Sequence, residues 1–241
     1  LVLPGVPVAC VDDLDTYGLL TGISEERQRA RILDRFARMY SPAIGSGAVM
    51  DYLGQTGLDT LRGADILKEA PKIYSSTVEY PNTGIAKKLK GTAQIHLAGF
   101  GTRVLYCDHG TFDSHSNQVG MLDKLWKDVS AGVEAFFDDL REHDAADNVI
   151  MFLFSEFGRR THDNGSGTDH GAAGAAFVIG DRVQGGQYSE YPSLKPADLE
   201  QGDVVPNVDF RGVYTTILED WLHLDAKPLV EGAFEKISFL N

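Results

Sequence analysis

Between residues 116 and 142, apolar side chains fall at Leu122, Leu125, Trp126, Val129, Val133, Phe136 and Leu140, in steps of three and four. Only a helix brings such a series onto one face. Two short runs of different character bracket it, "RVLYC" at 103–107 and "NVIMFLFS" at 148–155. Both are continuous enough in apolar and aromatic residues to suit strands buried on two faces. Strand, long helix, strand predicts a βαβ unit with parallel strands and a right-handed crossover. "AAFVIG" at 175–180 adds another expected strand.

The rest of the chain is organised around that unit. "SEERQRARILDRFARMY" predicts an amphipathic helix from a Ser24 N-cap to Tyr40, with Ile32, Phe36 and Met39 on its apolar side. Segments 44–55 and 58–70 are short and punctuated by glycine, and "APKIYSSTVEYPNTG" reads as an extended excursion. Ile85, Leu89, Ala93 and Leu97 then recur every four residues, which predicts a helix stopping at Gly99 to Gly101. Val213, Tyr214, Ile217, Leu218, Trp221 and Leu222 mark a terminal helix opened by Asp209 as N-cap. The expected fold class is therefore α/β, with a mostly helical region at 1–81 capping or inserted into a parallel-sheet core at 82–241, within one structural domain.

Thirty-five acidic against 22 basic residues give a net charge of -13, which disfavours nucleic acid as a partner. The densest basic run, "KKLK" at 87–90, suits one face of a helix. Cys10 and Cys107 are the only thiols, too few for a disulfide scaffold and too distant for a CxxC motif; a single bridge between them stays open. No apolar run reaches the length of a membrane span, and no signal peptide is recognisable.

Ligands of open α/β sheets gather outside the carboxyl ends of strands. That rule selects "DHGTFDSHSNQ", with Asp108, His109, Asp113 and His115, and "EFGRRTHDNGSGTDHG", with Glu156, Arg159, His162, Asp163, Asp169 and His170. Carboxylate and imidazole together form the donor set of zinc, manganese, iron and similar cations, and such a mixed site with open positions suits catalysis. The same residues also suit ordinary turns: Asp113 and Ser114 fit a helix N-cap, and Asp163-Asn164-Gly165 fits a turn. His96, His143 and His223, at helix positions or ends, fit surface or packing roles.

"GTRVLYCDHGTFDSHSNQ", "LFSEFGRR", "GTDHGAAGAAFVIG" and "VQGGQYSEYPSL" together resemble the domain-of-unknown-function 1501 family, here identified with a sulfatase-like branch of the alkaline phosphatase superfamily. The resemblance runs from about Thr83 to Leu224. It implies a parallel-sheet α/β/α sandwich with metal ligands at strand ends. The family's Phe-Asp-Thr-His falls on Phe112 to His115, which implies Asp113 and His115 as ligands. Its Asp-His pair falls on Asp169 and His170, completing the implied metal set. Its Glu-Phe-Gly-Arg falls on Glu156 to Arg159, implying Glu156 as a ligand or supporting carboxylate and Arg159 as an anion clamp. Two departures stand out. The superfamily's N-terminal nucleophile segment is not recognisable, with Leu1 to Ala9 as its only candidate remnant, and Thr111 replaces a glycine usual before the Phe-Asp pair.

The resemblance thus implies a metal-dependent hydrolase of sulfate or phosphate esters, holding zinc, manganese, iron or calcium and acting on a small-molecule or carbohydrate ester; the departure at the nucleophile segment leaves a fragment without that segment, or a protein that binds without turnover, as the two expectations. It also implies an exported, periplasmic bacterial location. The alternatives are a non-catalytic exported binding or structural protein on a sulfatase-like fold, with loop tyrosines in "SSTVEYPNTG" and "GGQYSEYPSL" as contacts, and a protein with a purely structural ion.

Overall fold

The computed structural model describes residues 11, 14, 23 and 25–240. Ser24 and Cys10, named above as N-cap and bridge partner, lie outside them, as do Leu1 to Ala9. The chain forms two compact units, 1–109 with 128–142 and 110–127 with 143–241.

In the first unit, α1 (Glu26–Tyr40) and α2 (Ala48–Leu67) are joined by a 3-10 turn at Ser41–Ala43. The glycines that punctuate 44–70 do not break α2. One of them is needed for packing, because a Cβ at Gly57 would sit 2.6 Å from the Tyr40 ring. The first residues of the stretch expected to be extended instead form a helical turn, α3 (Ala70–Ile73), after which the chain runs without helix or strand to α4 (Gly84–Leu97). Thr83 caps α4 by accepting from the Ala86 amide at 3.3 Å. Gly99 and Gly101, at φ 69° and 77°, end it as expected.

The long helix α5 (Gln118–Glu142) carries the predicted stripe. Leu125, Val129, Phe136 and Leu140 are all buried. In the first unit it approaches α4 at Gly132, where an added Cβ would touch Leu89 at 3.4 Å and Ala86 at 3.5 Å.

The second unit holds β1 (Met151–Leu153), β2 (Gly158–Asp163), β3 (Thr168–Gly171), β4 (Phe177–Ile179) and α6 (Phe210–Thr216). Asp209 caps α6 at the Arg211 amide, 2.9 Å away, and the helix continues as a π turn over Ile217–Trp221. Thr216, buried at the end of α6, ties the C-terminal segment down by accepting from the Ile237 amide at 2.9 Å.

The expected parallel-sheet α/β/α sandwich is not formed. Among the described residues the protein is mostly helical, and the two small sheets they form are antiparallel pairs: β1 with β4, Met151 opposite Ile179, and β2 with β3, Gly158 opposite Gly171. The expected strand at 103–107 is extended chain outside any sheet, with Val104 and Tyr106 71% and 76% exposed. Its apolar run is compatible with a buried strand, yet a run of that length fixes neither burial nor a partner. β1 finds its partner later in the chain through a return of 23 residues, 154–176, so no crossover is needed.

Candidate metal centre

Two segments of the second unit converge: the loop carrying Phe112 to His115 and the β2–β3 hairpin. The stretch "HDNGSGTDHG" is that hairpin's tip and return strand. Asp163 and Asn164 build the turn, their side chains accepting from the amides of Gly165 at 2.6 Å and of Ser166 and Gly167 at 3.0 and 2.9 Å.

The hairpin is fastened to the loop by backbone and amide contacts. The Asn117 amide donates to the Ser166 carbonyl at 3.0 Å. Gln118 donates to the carbonyls of Ser114 and Thr168 at 2.5 and 3.3 Å, and Asn164 donates to that of His115 at 3.2 Å. Arg159 makes the strongest tie. Its guanidinium donates to the carbonyls of Ser114, Thr168 and Phe112 at 2.7, 2.9 and 2.6 Å while lying 5.1 Å over the Phe157 ring. The residue expected to grip an anion thus spends its fork on main-chain oxygens.

Along the loop, side chains alternate. Phe112 and Ser114 are half-buried, and Phe112 meets Trp126 edge-on at 5.4 Å; Asp113 and His115 are exposed. His115 Nδ1 lies 2.8 Å from Asp169 Oδ1, and His170 Nε2 lies 2.7 Å from Asp113 Oδ1. His115 Nε2 is 3.6 Å from the same Asp113 oxygen. The imidazoles stack on each other at 4.8 Å, and Phe157 backs His170 at 3.7 Å, the two rings nearly parallel at 9°.

Ligand atoms of Asp113, His115 and His170 all lie within 4.8 Å of one another. Asp169 stands behind His115, itself held by Asn164 Nδ2 at 3.0 Å, and Glu156 is exposed and outside the triplet. His170 beside Asp113, and His115 with Asn164 beside Asp169, hold both carboxyls below the usual range. Two imidazoles and one carboxylate, with a second carboxylate on the far nitrogen of one imidazole, suit a divalent cation.

Of the other candidates, Asp108 pairs with Lys88 at 2.6 Å, Asp163 serves the turn, and His162 is exposed on β2. Phe157, Asn164 and Gln118 do not stand out in the sequence as parts of the site. Only the turn propensity of Asn164 is visible there.

Thr111 has φ 77°, in the left-handed region that penalises a β-branched residue by about 1–2 kcal/mol. That conformation explains why glycine suits the position. Thr111→Gly is expected to raise stability by about 0.5–1 kcal/mol, part of the relief being offset by the freer unfolded chain. The urea midpoint of the variant against the parent checks it; a lower midpoint would contradict the strained conformation.

No curated protein and no solved structure matches the chain. A family model described as "Protein of unknown function (DUF1501)" matches residues 62–231, which include every residue of the cluster, and the chain belongs to that family.

Proposed function

We propose that this protein is a metal-dependent hydrolase of phosphate or sulfate esters whose divalent cation is held by Asp113, His115 and His170. The observation that carries the metal site is the convergence of those three side chains with Asp169 at the second nitrogen of His115. With Asp169 as hydrogen-bond partner of Nδ1, it is His115 Nε2 that faces Asp113 and would take the cation. Phe157 keeps the His170 ring from rotating, and Arg159 holds the loop that presents Asp113. A cation bound there supplies Lewis acidity at an ester oxygen. Side-chain exposures of 62%, 52% and 42% for Asp113, His115 and His170 leave the site open to a substrate, unlike the closed shell of a structural ion. The ester class rests on the sulfatase-like resemblance of the four motifs.

The test is a calorimetric titration of metal-free protein with zinc or manganese, followed by assay of the loaded protein on nitrophenyl phosphate and nitrophenyl sulfate. About one equivalent of metal is expected to bind, with none retained by His115→Ala/His170→Ala and a loss of about 10–100-fold in affinity for Asp169→Ala. Equal metal uptake by parent and double variant would overturn the site. Metal binding without turnover of either ester would overturn the hydrolase and keep the cation.

A further inference from the structure

We infer that the helical hairpin α1–α2 is a docking surface for an anionic lipid bilayer. In a chain of net charge -13, α1 carries Arg27, Arg29, Arg31, Arg35 and Arg38 against only Glu26 and Asp34. The whole-chain balance hides this segregation. Arg27, Arg31, Arg35 and Arg38 succeed one another at spacings of four, four and three, which gathers them into an arc of roughly 80° on the helix surface. All four are exposed. Arg38 keeps a surface pair with Asp34 at 2.9 Å, with side chains 79% and 57% exposed. The half-buried Ile32, Leu33, Phe36 and Tyr40 occupy the opposite side of the helix.

At the end of the hairpin the arginine arc meets apolar surface. Met39 in the last turn of α1, Ile44 in the connection, and Val49, Met50 and Leu53 in the first turns of α2 are 45–73% exposed. Exposed aliphatic side chains at a tip beside a cationic stripe divide the work of an interfacial helix. The arginines meet lipid phosphates and the tip enters the acyl boundary. Charge selects an anionic partner, and the aliphatic tip selects lipid over nucleic acid, since a phosphodiester backbone offers Val49 or Met39 nothing to bury against. No helix among the described residues is long and apolar enough to cross a membrane.

The experiment is co-sedimentation of the full chain with phosphatidylcholine vesicles containing or lacking phosphatidylserine, at low and high salt. Binding is expected on the anionic vesicles, weaker by at least tenfold on neutral ones and at high salt. Arg31→Glu/Arg35→Glu is expected to lose at least tenfold, and Val49→Ser/Leu53→Ser several-fold. Unchanged far-ultraviolet circular dichroism and thermal midpoint in each variant separate lost docking from lost folding. The same proteins are also titrated with duplex DNA. Failure to sediment with anionic vesicles overturns the inference. So does binding that survives both double substitutions, or tighter association with DNA that ignores Val49→Ser/Leu53→Ser.

Discussion

Asp139→Ala is expected to cost about 3–5 kcal/mol of stability, read as a fall in the urea midpoint monitored by far-ultraviolet circular dichroism. Asp139 is fully buried on α5, and its Oδ2 accepts the hydroxyls of Tyr74 and Tyr80 at 2.6 and 2.7 Å. One helix turn on, Glu142 accepts from the Thr77 amide at 3.0 and 3.1 Å and from the hydroxyls of Ser76 and Thr77 at 2.6 and 2.8 Å. These two carboxylates hold the extended segment 74–80 against α5. Removing the Asp139 carboxylate leaves two part-buried phenols without their acceptor, which costs more than a lost hydrogen bond between exposed groups.

Asp139→Leu combined with Tyr74→Phe and Tyr80→Phe removes both sides of the contact and is expected to lose less than Asp139→Ala alone. A loss below about 1 kcal/mol for Asp139→Ala would mean that the carboxylate is not the anchor. The same contact sets an alkaline limit. Burial first, and then the Asp139 hydrogen bond, raise both phenols above their ordinary value. Their contribution is therefore complete below about pH 10 and declines as pH rises beyond it, because the unfolded chain releases those protons first.

Neither the Asp139 anchor nor the antiparallel sheets were legible in the sequence, whereas most helices were, and the reason is distance along the chain. The α5 stripe and the four-residue recurrence in α4 are local patterns, as are Asp209 before α6 and the Asp163-Asn164-Gly165 turn. Neighbouring residues alone are enough to reveal them. Strand partners are another matter. The run at 148–155 announces apolar character, but that β1 pairs backwards with Phe177–Ile179 depends on residues more than twenty positions away. The candidate site shows both sides of this limit. Asp113, His115, Asp169 and His170 stood out by residue type and motif, and the fold brings all four together. The work of Arg159 could not be read the same way, since its partners are main-chain carbonyls that every residue possesses. The arginine arc on α1 was available from spacing, yet counting charge over the whole chain concealed it.

Gly158→Ala is expected to lower stability by about 3 kcal/mol and to weaken metal binding at the proposed centre by at least 100-fold. A Cβ at Gly158 would land on the carbonyl of Ala173, and the opposing Gly171 is equally hemmed in, with its added Cβ 2.6 Å from the Arg159 carbonyl carbon. Main-chain atoms cannot rotate away as a side chain can, so the hairpin itself must shift. The shift falls on the residues that shape the site. Gly158 precedes Arg159, whose guanidinium holds three carbonyls of the loop and hairpin, and Arg159 lies opposite His170 in the strand register. Displacing that pair separates His170 from Asp113 and loosens the loop that bears Asp113 and His115. Gly185→Ala is the control, since an added Cβ there meets nothing within 4 Å; its effect should stay within about 0.5 kcal/mol. Urea unfolding and zinc calorimetry on the two variants separate the outcomes. Parent-like stability in Gly158→Ala would refute the packed hairpin, while a destabilised protein that still binds zinc normally would detach the metal site from the Arg159 and His170 geometry.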